Sequence, residues 1–312
     1  MIRGWVEQNG RILGAEADTL STEELLKCGG EFYSPDLQIR DKYGIFPAPE
    51  CQRAAPQYAP QQLSDAIKTA VLLRSTPDSV VTLSGGVDSS LVAAISGLPA
   101  ICVGAENSSD VVDAEHFADE AGLKLSVHTV TKDEVESALP SVLAAIPSKD
   151  PVSLEIALTG FFVARTAKER GAARIVTGQA ADELFAGYAR YGQSANLRAD
   201  LDKDFALLAG QRARDFAVAD LFGVWYSLPY MDERVVSIAR SLPSDALVLG
   251  DLRKIALRRA AESFLPEEIA WKPKKAMQYG SGVSKLLARI AKEQGVKGTS
   301  GLIELFKKDG GE

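Results

Sequence analysis

The stretch Val80-Val81-Thr82-Leu83-Ser84-Gly85-Gly86-Val87-Asp88-Ser89-Ser90 decides how the rest of the chain is read. Val80 to Leu83 form a short β-branched run of the kind that makes a buried strand. Ser84-Gly85-Gly86 breaks that run, and a helical stretch follows from Ser89. Two glycines at a strand-to-helix junction let backbone N–H groups approach an anion closely. The helix that follows adds unpaired N–H groups and the positive end of its dipole. Ser84, Ser89 and Ser90 offer short hydroxyl donors. Asp88 is the odd member, because a carboxylate repels a phosphate unless a cation lies between them; a Mg2+ bridging Asp88 to the phosphates resolves the conflict. The bland alternative is a tight turn with Ser as N-cap. By chance, the five fixed positions of SGGxDS arise in a chain of this length on the order of once in a few thousand, which favours the phosphate loop.

Working outward, strands alternate with helices. Leu63, Ala66, Ile67, Ala70, Val71 and Leu73 follow a helical spacing that stops before Pro77. Ala100 to Val103, Leu125 to Val130 and Arg174 to Thr177 read as further strands. A helix from Ser109 as N-cap to Ala121, one from Asp133 to Leu143, and a long one from Ser153 as cap to Gly171 connect them. This alternation predicts an α/β fold, a parallel sheet with helices on both faces. From Asp182 onward no strand is expected. Helical patterns cover roughly 182–189, 204–221, 232–241, 252–264 and 281–293, so the second half is a mostly helical addition with a frayed tail at 307–312. Residues 1–60 differ: short apolar clusters, a helical spacing only from Thr22 to Lys27, and a Pro-rich linker from Ala48 to Pro60. The expected division is 1–60 and 61–312.

Composition narrows the classes. The 312 residues carry 35 Lys+Arg against 42 Asp+Glu, a net charge of −7, which disfavours nucleic acid as a partner through the overall field. Cys28, Cys51 and Cys102 are odd in number and contain no CxxC, so neither a disulfide framework nor a zinc site is expected. Two histidines, His116 and His128, leave little for a His-based metal site or a Ser-His-Asp triad. No apolar leader and no run of about 18 apolar residues is present. A soluble, cytoplasmic protein without a membrane partner is expected.

SGGVDSS resembles the pyrophosphate loop of the ATP pyrophosphatases that adenylate a substrate, and lacks the GKS or GKT of a Walker loop. Three more segments select one branch. Thr177-Gly178-Gln179-Ala180-Ala181-Asp182-Glu183-Leu184-Phe185-Ala186-Gly187-Tyr188 resembles SGEGxDExFxGY of the asparagine synthetases. Leu228-Pro229-Tyr230-Met231-Asp232 resembles their VPFLD string. Lys254 to Ser281, with Leu257-Arg258, Leu265-Pro266, Trp271-Lys272, Lys274 and Gly280, resembles their K-x-x-L-R…LP…W-R-x-K…G segment. Order and spacing agree from about residue 61 to residue 285.

That resemblance implies an ATP-dependent amide-forming ligase, with ATP and Mg2+ required. ATP converts a carboxylate to an acyl-adenylate, and an amine displaces AMP. It implies that Ser84, Gly85, Gly86 and Ser89 cradle pyrophosphate, and that Asp88 and Asp182 hold Mg2+. Lys274 neutralises the phosphates, and Leu83, Val103, Thr177 and Gly178 line the nucleoside pocket. Bland alternatives are a solvated charge for Lys274 and a helix N-cap for Asp182. Gly29 to Tyr33 and Ile39 to Pro47 resemble the end of the family's glutaminase domain. Position 2 is Ile2 where the resemblance puts a catalytic Cys. A remnant that has lost glutamine hydrolysis is therefore expected, with ammonia free or from a separate glutaminase; a homodimer stays open.

Two departures fall at the substrate end. Gln179 stands where the family string has Glu, and Gln cannot accept a proton at neutral pH. Trp225 and Ser227 stand where the family has E-x-R before LPYMD, which makes Trp225, Ser227 and Asp232 the candidate substrate end, for a less charged or larger acid. Trp225 is equally compatible with plain core. Three readings stay open: aspartate amidation, the same chemistry on another carboxylate or cofactor, and a non-catalytic ATP-binding subunit.

Overall fold

The computed structural model describes residues 3–8, 11–15, 30–33, 39–41, 44–46, 60–272 and 280–309. The expected helix at Thr22–Lys27, Cys28, Cys51, most of the expected linker, and Lys274 lie outside them. The N-terminal segments form β1 (Arg3–Gln8), β2 (Arg11–Ala15), β3 (Gly30–Tyr33), β4 (Ile39–Asp41) and β5 (Gly44–Phe46). They make one antiparallel sheet, order β2-β1-β3-β4-β5.

From Pro60 the chain builds the α/β unit. Helix α1 (Pro60–Arg74) buries the face carrying Leu63, Ala66, Ile67, Ala70 and Val71, and ends before Pro77. Then follow β6 (Ser79–Thr82), α2 (Val87–Ser96), β7 (Ala100–Gly104), α3 (Ser109–Ala121) and β8 (Leu125–Thr129). Next come α4 (Lys132–Ala145), α5 (Pro151–Glu169) and β9 (Arg174–Val176). A Thr131–Glu134 capping box starts α4, and Asp150 rather than Ser153 caps α5, its Oδ1 accepting from Ser153 N at 3.0 Å.

All pairings in this sheet are parallel, in the order β10-β9-β6-β7-β8, where β10 is Trp225–Ser227. The order reverses between β6 and β9. Right-handed crossovers then put helices on both faces and open a crevice at the carboxyl ends of those two strands. Val80, Val81, Ile101, Cys102, Ile175 and Val176 are all buried, as a doubly covered sheet demands.

The β10 strand corrects the expectation of no strand after Asp182. Three residues are too few to show a period, and the strand exists because Tyr226 pairs beside Ile175. Helix α6 (Ala181–Leu184) is one turn, shorter than the expected 182–189, because Ala186 takes a left-handed φ of 57°. Helix α7 (Leu197–Asp220) starts earlier than expected, with Asn196 as its cap. After α8 (Glu233–Ser241), a two-residue hairpin of β11 (Val248–Leu249) and β12 (Leu252–Arg253) occupies the start of the expected 252–264 helix. The helix itself, α9 (Ile255–Ala261), is short and is followed by α10 (Glu267–Ala270). Helices α11 (Val283–Glu293) and α12 (Gly298–Asp309) close the unit, so helix replaces much of the expected frayed tail. Among the described residues no helix is long and apolar enough to cross a membrane.

Candidate active site

The crevice at the β6/β9 switch deepens into a cavity of about 200 Å3. Leu83, Ser84, Asp88, Ser89, Val103, Thr177, Gly178, Gln179 and Asp182 all line it, so residues from three separate sequence segments meet there. The loop after β6 is tied internally. Ser89 Oγ accepts from Ser84 N at 3.1 Å and donates to Gly86 O at 3.1 Å. Gly86 occupies the N-cap of α2 and no side chain caps that end. The first N–H groups of the helix are therefore left for an anion.

Gly85 has a φ of +68°, and a Cβ there would collide with the Cβ and backbone of Asp113. Gly178 is confined for another reason: a Cβ would lie 2.9 Å from backbone atoms of Asp88 and Ser89. The loops after β6 and β9 thus touch backbone to backbone, which brings Asp182 beside Asp88.

Both carboxylates meet one ammonium. Lys254 Nζ lies 2.7 and 2.6 Å from the two Asp88 oxygens and 2.5 Å from Asp182 Oδ1. Lys254 is buried and holds a left-handed φ of 58° at the N-cap of α9. That backbone costs roughly 1–2 kcal/mol for a non-glycine residue, a strain typical of functional positions. The N-cap of α6 is Ala180, so Asp182 is not the helix cap that the bland reading supposed. Two converging carboxylates, one of them with its side chain 27% exposed, match the donor set that Mg2+ takes when phosphate oxygens and waters complete its shell. The sequence quoted Lys254 only as the start of K-x-x-L-R; its place between the two aspartates depends on folding.

Lys274 lies outside the described residues. The chain on both sides of it is anchored near the loop after β6. Lys272 pairs with Asp113 at 2.7 Å, and Ser109 Oγ donates to Gly280 O at 3.4 Å. Arg258 is buried and binds the carbonyls of Arg253, Ala270 and Lys272, fixing the approach to that segment.

The cavity lining from β10 onward differs from the sequence expectation. Trp225 and Ser227 do not line it; the residue between them, Tyr226, does. Alternation along β10 puts Tyr226 on the cavity face, while the Trp225 ring lies 5.3 Å from the Arg174 guanidinium. Asp232 is also elsewhere. It caps α8 by accepting from Arg234 N at 3.1 Å, and pairs with buried Arg74 at 2.7 Å. The cavity is lined instead by α7, whose Leu208, Gln211, Arg212 and Asp215 recur at i, i+3, i+4 and i+7 and so share one face.

Gln179 is held by that face. Its Oε1 accepts from Arg212 Nη2 at 2.7 Å and its Nε2 donates to Asp215 Oδ2 at 3.2 Å. Asp215 also takes Arg212 at 2.8 Å and Arg214 at 2.9 Å, all three being buried. Beside them Glu183 accepts from Tyr188 Oη at 2.6 Å and Gln211 Nε2 at 3.3 Å, and burial pushes its carboxyl above the usual Glu range. Arg212, Asp215, Tyr226 and Glu183 were not singled out from sequence. The spacing of polar residues along 208–215 was the available signal.

Comparison with known proteins identifies the family. The family described as asparagine synthase matches residues 61–223 and 207–309. A protein assigned as glutamine-hydrolyzing asparagine synthetase 1 in Methanocaldococcus jannaschii is 32% identical over 282 residues, covering 76% of this chain and 52% of its own. The carboxyethyl-arginine beta-lactam-synthase of Streptomyces clavuligerus is 30% identical over 240 residues (74% and 46%). Asparagine synthetase B of Escherichia coli is 26% identical over 261 residues (75% and 47%). The chain thus spans about half the length of these relatives. The loop after β6, the paired aspartates and Lys254 all fall in the matched region, and the chain belongs to the asparagine synthase family.

Proposed function

We propose that this chain is an ATP-dependent amide-forming ligase. A carboxylate oxygen of an acid substrate attacks the α-phosphorus of ATP, the bond to the β-phosphate oxygen breaks, and pyrophosphate leaves. Ammonia then attacks the acyl carbon of the acyl-adenylate, AMP leaves, and the surplus proton passes to solvent. The observation that carries this reading is the convergence of Asp88 and Asp182 on Lys254 at the crevice of the sheet. Such a site needs no nucleophilic side chain, since position and charge supply the catalysis.

In this reading Ser84, Gly85, Gly86 and Ser89 bind pyrophosphate beside the uncapped end of α2. Asp88 and Asp182 hold Mg2+, which neutralises phosphate charge when bound. Lys254 fixes the two carboxylates, and Lys274 adds a second positive charge to the phosphates. Leu83, Val103, Thr177 and Gly178 border the nucleoside. Gln179 is a positioning residue, its side chain committed to Arg212 and Asp215 rather than to proton transfer. That commitment favours a second reading in which the acid is not aspartate. The relatives assigned as asparagine synthetases are named glutamine-hydrolyzing. Here we assign the nitrogen to ammonia, free or delivered by a separate glutaminase.

The test is AMP release by purified protein with Mg·ATP and ammonia, with and without aspartate. Aspartate-dependent AMP and asparagine support the first reading. AMP that depends on another acid supports the second. Tight ATP binding with no AMP under any acid makes the chain a nucleotide-binding subunit and overturns both.

A further inference from the structure

Lys254 draws on the same oxygens that a divalent cation would use. Its Nζ donates to both oxygens of Asp88, at 2.7 and 2.6 Å, and pairs with Asp182 Oδ1 at 2.5 Å. Three oxygens so close to one atom form a single small shell. A cation bridging the two carboxylates through those oxygens, at the roughly 2.1 Å that Mg2+ demands, takes the place of the ammonium. The two groups therefore compete. Two carboxylates and one ammonium leave the cluster with −2 + 1 = −1, which still attracts a cation.

The ammonium has little freedom to step aside. The Lys254 side chain is 4% exposed, and its backbone is held at a left-handed φ of 58° at the start of α9. Its stem is boxed in by Gly187, where a Cβ would overlap both Lys254 Cε and Asp182 Oδ1. A buried ammonium stripped of its carboxylates carries the full cost of an unpaired buried charge. An anion in the loop after β6 removes that cost. Asp88 lies in the first turn of α2, whose N-terminus no side chain caps. Phosphate oxygens bound at that turn sit beside Asp88 and give the ammonium new acceptors.

We infer that Lys254 is a positioning residue that keeps a divalent cation off the Asp88–Asp182 pair until phosphate oxygens take over its ammonium. This rests on the ligase reading and deepens it. The metal and the triphosphate then bind as a coupled pair, each raising the affinity of the other. A free cation alone gains little from the two carboxylates.

The experiment is binding of Mn2+, a paramagnetic stand-in for Mg2+, to the full chain without nucleotide, read by loss of the free-ion spin-resonance signal. Lys254→Met is expected to bind Mn2+ at least about tenfold more tightly than wild type, a modest effect for one unit charge removed from the shell. Lys254→Arg keeps the charge and should stay close to wild type. Mn2+ should also raise the melting temperature of Lys254→Met and leave that of wild type nearly unchanged. Equal Mn2+ affinity in wild type and Lys254→Met overturns the inference and leaves the ligase reading standing. Should the variant fail to fold, wild type alone decides: Mn2+ bound equally tightly with and without a non-hydrolysable ATP analogue overturns the inference. No Mn2+ bound by any of these proteins, even with the analogue, overturns the metal site and the inference together, while AMP release still reports on the ligase reading by itself.

Discussion

Lys254 Nζ lies 2.6 Å from Asp88 Oδ2, although 166 residues separate them in the chain. The same ammonium holds Asp182. One buried cation therefore joins the loop after β6, the loop after β9 and the start of α9. Removing one partner of such a cluster leaves uncompensated buried charge. Lys254→Met should lower the unfolding free energy in urea by roughly 3–5 kcal/mol. Adding Asp88→Asn should recover part of that loss, since it removes the charge left stranded. Strictly additive effects of the two changes would show that the pair is not coupled.

Gly85 combines a left-handed φ with a Cβ position already taken by Asp113. Gly85→Ala should shift the phosphate loop away from its anion-binding shape at a cost of about 1–3 kcal/mol. ATP affinity, measured by calorimetry, should fall about tenfold or more, because each 1.4 kcal/mol is a factor of ten. Unchanged affinity would argue that the loop does not hold the triphosphate.

Asp232 joins α8 to α1 through Arg74 and does not line the cavity. Asp232→Ala loses both a buried ion pair, worth roughly 3–5 kcal/mol when broken, and a helix cap, worth about 1 kcal/mol. The melting temperature should drop while KM for the acid and for ATP stay the same in the folded protein. A selective rise in acid KM would return Asp232 to the substrate end.

Glu183 offers a pH test. Burial raises its carboxyl above the usual 4.5, and Asp182 nearby adds to the rise, while donors such as Tyr188 oppose it. The folded protein thus binds the proton more tightly than the unfolded chain. Its contribution to stability is fully present below about pH 4.5 and is lost as pH rises through the elevated folded value. Glu183→Gln keeps an acceptor for Tyr188 and removes the titration. Relative to this variant, wild type should lose stability with rising pH above 4.5, by at most about 1.4 kcal/mol per pH unit. A constant difference from pH 4 to 8 would contradict a raised Glu183.

The local parts of the site were legible in sequence. The phosphate loop is a strand, two glycines and a helix start in eleven consecutive residues, and the structure places it between β6 and α2. Asp182 was legible for the same reason, as part of one continuous string. What depended on distant packing was not. Lys254 meets Asp88 only after the sheet and the second half have folded together. At the substrate end, the sequence marked Trp225 and Ser227, but a strand sends neighbours to opposite faces, and the register of Trp225 against Arg174 put Tyr226 in the cavity instead. Arg212 sits in a long helix of mixed polarity, where the spacing along 208–215 groups it with Gln211 and Asp215 on one face but does not show whether that face meets a cavity or solvent.

The most direct test of the account follows an oxygen atom. With both oxygens of the substrate carboxylate labelled as 18O, attack on the α-phosphorus transfers one labelled oxygen to AMP. The account predicts AMP carrying a single 18O, formed together with unlabelled pyrophosphate. Label in orthophosphate with ADP as the nucleotide product, or AMP free of label, would contradict adenylation at this site.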